Sequence, residues 1–368
     1  MSHPSLILAA ALALVAGLTG GAWGEPAALP QPREADLVVH DFHFRSGESL
    51  PILRLHYMTL GEPARDAAGE VTNAVLILHG TGGSGRQFLS PQFAGELFAP
   101  GQLLDARRYF IILPDDIGHG KSSKPSDGLH ARFPHYRYAD MVEAEHAVVT
   151  SSVADGGLGV SHLRLVAGTS MGCMHAFLWG ETWPGAMDAL LPLACLPVPI
   201  AGRNRLWRDM IVHAIRSDPA WRGGEYASEP RAGLETAGDI LAIAGSAPAQ
   251  MQKSLPTAAA ADAYLDGFLG RMASSLDAND LIYQVESSSD YDPSANLEKI
   301  TAAVMWINSA DDFINPPELA IAQKQAARLP RGRFVLLPIS AATHGHGTHT
   351  WAAAWKSYLG ELLAGSER

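Results

Sequence analysis

Gly168-Thr169-Ser170-Met171-Gly172 is the stretch that decides the fold of this chain. An apolar run, 163–167, precedes it, and a helix-like stretch, 173–179, follows it. A serine between two such glycines, with a strand before it and a helix after it, is typical of a nucleophile elbow, a tight turn that exposes the serine hydroxyl. The turn has no room for a side chain on either flank, which is why glycines stand there. Because the pattern also occurs by chance, its flanking elements and the partners described below carry the prediction.

The composition is that of an ordinary soluble globular protein. The 368 residues are 47% hydrophobic and 18% charged, which suits one large core with an accessory region. The formal net charge is −11, and no basic stripe interrupts it. This balance argues against nucleic acid and anionic membranes as partners. We expect a small-molecule ester or acyl substrate and no cofactor.

The first residues are typical of an export signal. An apolar run rich in Ala and Leu spans residues 6–18, too short to cross a bilayer comfortably. Ala22-Trp23-Gly24 suits a cleavage site that leaves Glu25 as the first residue. No Lys or Arg precedes the run, so an uncleaved anchor or a wrongly chosen start codon is the alternative. We expect a periplasmic or secreted protein without a stable membrane anchor after processing.

Strand and helix patterns alternate along most of the chain. Two strands, 37–40 and 53–58, are predicted to pair around the turn Ser46-Gly47-Glu48. Continuous apolar runs lie at 74–79, 109–114, 163–167, 190–194, 303–307 and 333–338. Helical spacing occurs at 140–153, 317–327 and 350–363. Apolar runs without alternation are typical of strands buried on both faces, so we predict a mostly parallel central sheet with helices on both faces.

The alternation stops near Pro197. From residue 200 to about 295 the chain is Ala-rich, with helical patches at 206–215 and 260–272. This segment predicts a helical lid over the carboxyl ends of the strands, where α/β sheets bind ligands. The predicted organisation is a signal peptide over 1–24, a core in two parts over 25–197 and 299–368, and a lid insertion over 198–298.

Ser170 needs a base to activate it and an acid to orient that base. In α/β-hydrolases the acid and then a histidine follow the serine, on loops after late strands. The loop after the run 303–307 carries Asp311 and Asp312. Asp312 is nearer to the Pro-Pro pair that begins the next helix, and Asp311 remains the alternative.

The loop after the run 333–338 carries His344, His346 and His349. His346 stands between two glycines, which let its ring approach the serine closely, so we predict it as the base. The other two would be solvated side chains or contacts at a helix start. The three could also bind a metal ion, but no nearby Cys or Glu completes the set, so no metal site is expected.

The negative charge that forms on the substrate oxygen needs preorganised N–H donors. We expect one from Met171, directly after the serine, and one from Thr81 in the glycine-rich loop 79–83. His79 is expected to hold that loop by hydrogen bonding rather than to take part in the reaction. The loop lacks the spacing of a phosphate-binding motif, so we do not interpret it as one.

Four further residues are singled out. Trp207 and Tyr226, in the lid, are predicted to line the substrate pocket, although packing the lid onto the sheet is the commoner role for such aromatic residues. Cys173 and Cys195 are expected to be buried thiols. A disulfide between them is the alternative after export.

The chain resembles the homoserine O-acetyltransferase-like branch of the α/β-hydrolases from about residue 42 to residue 363. The matching stretches are 73–79, 133–134, 140–142, 170–174, 215–219, 223–226, 312–317 and 345–346. The lid matches are the more specific ones, because most α/β-hydrolases lack them. The resemblance implies an α/β-hydrolase fold, a triad of Ser170, Asp312 and His346, and an assembly that is often dimeric, so a homodimer is one expectation.

The departures from this family bear on activity. Its acyltransferases usually carry arginines at the places that are Val212 and Gly238 here, and the residue after Met171-Gly172 is Cys173 instead of glycine. Losing two cations removes the bidentate contacts that a substrate carboxylate favours. Acetyl-CoA is moreover a cytoplasmic donor, which an exported enzyme does not meet.

These points favour an exported serine hydrolase that cleaves esters through an acyl-enzyme. An O-acyltransferase of the homoserine O-acetyltransferase type, using the same triad, is the alternative. A binding protein that keeps the fold without the chemistry is a third hypothesis. The intact Ser, Asp, His and glycine positions argue against the third.

Overall fold

An eight-stranded sheet runs through the computed structural model, which describes residues 31–367 and, over 271–274, the backbone alone. The strands are β1 (Arg33–His43), β2 (Ser49–Leu60), β3 (Ala74–Leu78), β4 (Phe110–Pro114), β5 (Leu165–Thr169), β6 (Ala189–Leu193), β7 (Ala303–Ser309) and β8 (Gly332–Leu337). Their order across the sheet is β1-β2-β4-β3-β5-β6-β7-β8. The predicted signal peptide, 1–24, lies outside the described residues.

The sheet is mostly parallel, as predicted. β1 and β2 form an antiparallel hairpin in which Leu37 lies opposite Leu55, and β2 is antiparallel to β4. The other neighbouring strands pair in parallel. Every residue of strands β3 to β7 is buried, because apolar layers cover both faces of the sheet.

Helices supply those two layers. They are α1 (Tyr138–Thr150), α2 (Met171–Thr182), α3 (Gly202–Ser217), α4 (Arg231–Ala244), α5 (Pro248–Ser254), α6 (Ala258–Ser275), α7 (Ala278–Glu286), α8 (Ile321–Ala326) and α9 (Lys356–Gly365). Met141 of α1 and Phe177 of α2 belong to one layer, and Leu359 of α9 belongs to the other. Helices α3 to α7 fall within the predicted lid. Between residues 31 and 367, no helix combines the length and apolar character that crossing a membrane requires.

Two helices near the carboxyl terminus are shorter than the sequence pattern predicts. The stretch 317–327 is broken at Ala320, whose φ of +51° is left-handed and cannot continue a helix. The helix predicted over 350–363 begins at Lys356, because two short 3₁₀ turns come first.

The two cysteines form a disulfide, which corrects the expectation of free thiols. Cys173 lies in the first turn of α2, and Cys195 follows β6. Strand β6 pairs in parallel with β5, and α2 begins directly after β5. The two Cα atoms are therefore 5.8 Å apart although 22 residues separate them in sequence. This pairing was not readable from the sequence, because it depends on which strands are neighbours.

We expect the C173A/C195A double variant to lose about 3 kcal/mol in free energy of unfolding, since the disulfide closes a loop of 22 residues in the unfolded chain. Denaturant unfolding followed by tryptophan fluorescence measures the loss. Reduced wild-type protein is the matched control and should lose a similar amount. Equal stability of the oxidised, reduced and double-variant proteins would contradict the prediction.

Candidate active site

Ser170 lies on a strained turn between β5 and α2. Its φ of +55° is a left-handed conformation that is unfavourable for a residue other than glycine. A Cβ atom on Gly168 would lie 1.9 Å from the Gly172 carbonyl oxygen, and one on Gly172 would lie 2.1 Å from the Leu78 carbonyl oxygen. These contacts leave room for glycine alone at both positions, which is the physical reason for the motif.

Ser170, His346 and Asp312 are in hydrogen-bond contact. Nε2 of His346 is 2.8 Å from Ser170 Oγ, although 176 residues separate them. Nδ1 of His346 is 2.9 Å from Oδ2 and 3.1 Å from Oδ1 of Asp312. A carboxylate at Nδ1 keeps the proton there, so Nε2 is left to accept the proton of the serine hydroxyl. The structure thus brings together the three side chains that the sequence singles out.

Asp312 is buried and held as a carboxylate. The backbone N–H groups of Ile314 and Asn315 donate to Oδ1 at 2.8 and 3.1 Å, and the Asn315 side-chain amide donates to Oδ2 at 3.0 Å. Burial by itself raises the pKa of Asp312. The charge and hydrogen bond of His346 and the bonds from Asn315 outweigh burial and lower this pKa below its usual range.

Asp311, the other acid of this loop, holds the backbone. Its Oδ2 accepts the Gly345 N–H at 3.0 Å, and its Oδ1 accepts the Ser309 hydroxyl. The carboxylate therefore ties the loop that carries His346 to the end of β7. Among the described residues it makes no contact with the His346 ring.

The two remaining histidines of the loop support His346. His344 stacks on Trp351, with ring centroids 4.0 Å apart. His349 packs edge-on against His346 at 5.2 Å. Burial, together with the charge of His346, lowers the pKa of His349 to about 3, so this ring is neutral at ordinary pH. Both ring nitrogens of His346 are bonded to other side chains, Nδ1 to Asp312 and Nε2 to Ser170.

Two backbone donors lie beside the serine. The N–H groups of Met171 and Thr81 have no acceptor among residues 31–367. That of Met171 belongs to the first turn of α2, where N–H groups lack partners within the helix. The loop of Thr81 runs past the serine, since a Cβ on Gly80 would lie 3.4 Å from the Ser170 Cβ. Both groups can therefore serve as donors to an oxyanion.

His79 holds this loop, as expected. Its Nδ1 is 2.9 Å from the Gly80 carbonyl oxygen, and the Asp116 N–H donates to its Nε2 at 3.1 Å. The two contacts assign the proton of the ring to Nδ1. Both nitrogens of the His79 ring are thus bonded to the backbone on either side of the loop.

Asp116, Glu145 and His175 form a buried polar cluster behind the loop. Their ligand-type atoms lie within 4.8 Å of one another. Nδ1 of His175 is 2.6 Å from Oε1 of Glu145, and Trp179 Nε1 donates to Oε2 at 2.6 Å. Burial raises the pKa of Glu145 to about 7 and, with the charge of Glu145, raises that of Asp116. None of the three residues lines the cavity in front of Ser170 that is described next.

A cavity of about 820 Å³ opens onto Ser170, a size typical of small-molecule sites. Residues of the lid and of the loops after β6 and β7 enclose it. Its apolar lining includes Met174, Leu196, Ile200, Phe313 and Ile314. His346 and Asp312 lie on its wall beside the serine. The lid insertion therefore covers the serine and shapes the space in front of it.

Trp207 and Tyr226 do not line this cavity, which corrects the predicted substrate contacts. Trp207 is 7% exposed and packs in the apolar layer of the lid. The Tyr226 hydroxyl accepts the Asn279 N–H at 3.1 Å. Both aromatic residues therefore take the commoner role of packing the lid.

Arg208 is the lining residue that sequence reasoning missed. A signal for it existed in the spacing of α3. Positions 208, 211, 212 and 215 recur at intervals of three and four, and all four are buried. This spacing puts Arg208 on the inward face of the helix, together with Ile211 and Ile215.

Comparison with known proteins agrees with the geometry. A family model described as the alpha/beta hydrolase family matches residues 75–356. The homoserine O-acetyltransferase of Thermobifida fusca is 30% identical, over 88% of this chain and 92% of that protein. The chain therefore spans nearly the whole length of this relative.

Two solved structures share the fold. The homoserine O-acetyltransferase of Bacillus anthracis superposes with a TM-score of 0.78 at 19% identity, covering 90% of this chain and 97% of the other. An acetylester hydrolase from Corynebacterium glutamicum superposes with a TM-score of 0.76 at 21% identity, covering 91% and 96%. At these identities the likeness concerns the fold.

Proposed function

Because this chain belongs to the alpha/beta hydrolase family, in the branch of the homoserine O-acetyltransferases and their esterase relatives, we propose that it transfers acyl groups through an acyl-enzyme on Ser170. An enzyme of the hydrolase or acyltransferase type is what this family membership implies. The observation that carries the proposal is the contact of Ser170 with His346, and of His346 with Asp312, at the wall of a largely apolar cavity.

In the first half of the reaction, Ser170 Oγ attacks the carbonyl carbon of the acyl donor. The hydroxyl proton passes to His346 Nε2 while the new C–O bond forms. Asp312 stabilises the positive charge of the ring, and the Met171 and Thr81 N–H groups stabilise the negative charge on the former carbonyl oxygen. The intermediate collapses when the leaving group takes the proton from Nε2, which leaves the acyl group on Ser170.

In the second half, an acceptor enters the cavity and loses its proton to His346 Nε2. Its oxygen attacks the acyl carbon, and the intermediate releases Ser170, which regains the proton. An alcohol acceptor makes the enzyme an O-acyltransferase, and water makes it a hydrolase. The curated relative is named homoserine O-acetyltransferase, so we take an alcohol acceptor as the first candidate.

Ester hydrolysis after export is the second candidate. Val212 and Gly238, which stand where arginines occur in acyltransferases of this kind, are both buried here, so neither position offers a cation to a substrate. The disulfide between Cys173 and Cys195 suits an oxidising compartment, as does the predicted leader. In the periplasm or outside the cell, an ester in place of acetyl-CoA would acylate Ser170, and water would release the acyl group.

Product analysis separates the two candidates. The purified protein is incubated with acetyl-CoA and homoserine, and in parallel with p-nitrophenyl acetate with and without homoserine. We expect O-acetylated acceptor, acceptor-dependent turnover and ping-pong kinetics, because both substrates share one serine. Acetate as the sole product at every homoserine concentration would favour the hydrolase, and S170A is the blank in both assays.

A further inference from the structure

Arg208 is a buried charge without an acidic partner. Its side chain is 2% exposed, and among the described residues no carboxylate lies within ion-pair distance of its guanidinium. Its Nε donates to Asn204 Oδ1 at 3.1 Å, and its Nη1 donates to Ser288 Oγ at 3.3 Å. Burial lowers the pKa of Arg208, yet an arginine stays protonated at neutral pH. The protein thus holds a full positive charge among neutral groups.

Such a charge destabilises the fold unless something compensates it. The buried polar neighbours of Arg208 are neutral. Burial raises the pKa of Tyr138, and the charge of Arg208 together with side-chain hydrogen bonds to Thr81 and Arg208 opposes that rise. A cation and two neutral hydroxyl groups therefore lie together next to the loop that carries an oxyanion donor.

A ligand bound in the cavity in front of Ser170 would supply the missing partner. Arg208 lines that cavity, and so do Ser170 and His346. The other cation of the lining, Arg203, is exposed and already bonded to the Phe313 carbonyl oxygen. A ligand that reaches the serine therefore meets one buried guanidinium.

The chemistry of a guanidinium favours a carboxylate. Its planar set of N–H groups binds two carboxylate oxygens at once, more strongly than neutral groups do. Residues 208 and 212 lie one helical turn apart on the same face of α3. Arg208 thus places a cation on the same helix face as Val212, at the wall of the cavity that Ser170 lines.

We propose that Arg208 is a specificity-determining residue that binds a carboxylate carried by the substrate, on either its acyl or its alcohol portion. The inference rests on the proposed function, because it names the class of molecule that the Ser170 site accepts. Three acids line the cavity. Asp311 and Asp312 are bonded to Gly345 and His346, Glu318 is exposed, and none of the three forms an ion pair with Arg208.

Two pairs of esters test the proposal. The first pair is p-nitrophenyl hydrogen succinate and p-nitrophenyl acetate, in which the acidic ester carries its carboxylate on the acyl portion. The second pair is 3-acetoxybenzoate and phenyl acetate, in which the acidic ester carries its carboxylate on the alcohol portion. In one pair, R208M should lower the ratio of kcat/KM for the acidic over the neutral ester by about 10- to 100-fold, the scale of a charged hydrogen bond. R208K, which keeps the charge without the planar fork, should lie between wild type and R208M.

R205M is the matched control. Arg205 lies on the same helix, is part-exposed, and pairs with Asp209 at 2.8 Å, so its loss should leave both ratios unchanged. A folded R208M with unchanged ratios in both pairs would overturn the proposal. If R208M and R208Q both unfold at markedly lower temperature, and kcat/KM falls equally for acidic and neutral esters, Arg208 is structural and the proposal is also overturned.

A binding measurement keeps the test independent of turnover. Succinate at tens of millimolar, against sodium chloride of equal ionic strength, should raise the melting temperature of S170A by about 2–4 °C and that of S170A/R208M by less than 1 °C. Equal shifts in the two proteins would count against the carboxylate site. A wild-type protein that turns over none of the esters and forms no O-acetylated acceptor from acetyl-CoA and homoserine would instead refute the proposed function, while the succinate shift still tests the site at Arg208.

Discussion

Replacing Ser170 with alanine should lower kcat by about 10⁴- to 10⁶-fold and abolish labelling by a fluorophosphonate probe. The hydroxyl is the one group that can form the acyl-enzyme, and His346 Nε2, 2.8 Å away, has no other hydroxyl within reach among its described contacts. Steady-state kinetics with p-nitrophenyl acetate and gel-based probe labelling measure the two effects. The melting temperature should change little, because alanine fits the same turn.

The control for S170A is S217A, an exposed serine at the end of α3. It should keep full activity and full labelling. Labelling of S170A at the wild-type level would show that another serine reacts with the probe, and the proposed mechanism would then be wrong.

Replacing Asp312 with asparagine should lower kcat by about 10³- to 10⁴-fold with little change in KM. Asparagine keeps the volume, and its oxygen can still accept the Ile314 and Asn315 N–H groups. It removes the negative charge that keeps the proton on His346 Nδ1 and that stabilises the ring when it takes the serine proton. The pKa of Asp312 lies below its usual range, so the carboxylate is ionised throughout, and the deficit should persist across about pH 5 to 9.

D311N is the matched control for D312N. Asp311 is the adjacent acid, and it accepts the Gly345 N–H instead of touching the His346 ring. Its replacement should cost at most about tenfold in kcat, through the looser hold on the histidine loop. Larger losses in D311N than in D312N would reverse the assignment of the two acids.

Local chemistry explains why the elbow could be predicted. Gly168 and Gly172 are needed because a Cβ at either position would overlap backbone atoms. That steric requirement fixes the residue type, so the sequence shows it. The buried strands were predictable for a similar reason, since a strand covered on both faces must be apolar at every position. Two lid helices, α3 and α6, followed from the predicted patches 206–215 and 260–272, whereas α4, α5 and α7 were not predicted.

The sequence did not decide which of several neighbouring acids or histidines belongs to the triad. Both acids in the loop after β7 and all three histidines after β8 are chemically able to serve, and resemblance favoured Asp312 over Asp311 without a physical reason. That reason is positional: Asp311 meets a backbone N–H, and Asp312 meets the ring. Neighbouring residues of a loop point their side chains in different directions, and the residue types alone do not reveal those directions.

By itself, the sequence determined a sheet flanked by helices, a strained serine turn and the order in which its partners follow. Those features depend on steric and hydrophobic requirements of short segments. Tertiary structure alone decided that Cys173 meets Cys195, that Trp207 packs in the lid, and that Arg208 reaches the cavity. These outcomes depend on which strands and helices become neighbours, because contacts between residues distant in the chain are set by the packing of whole elements.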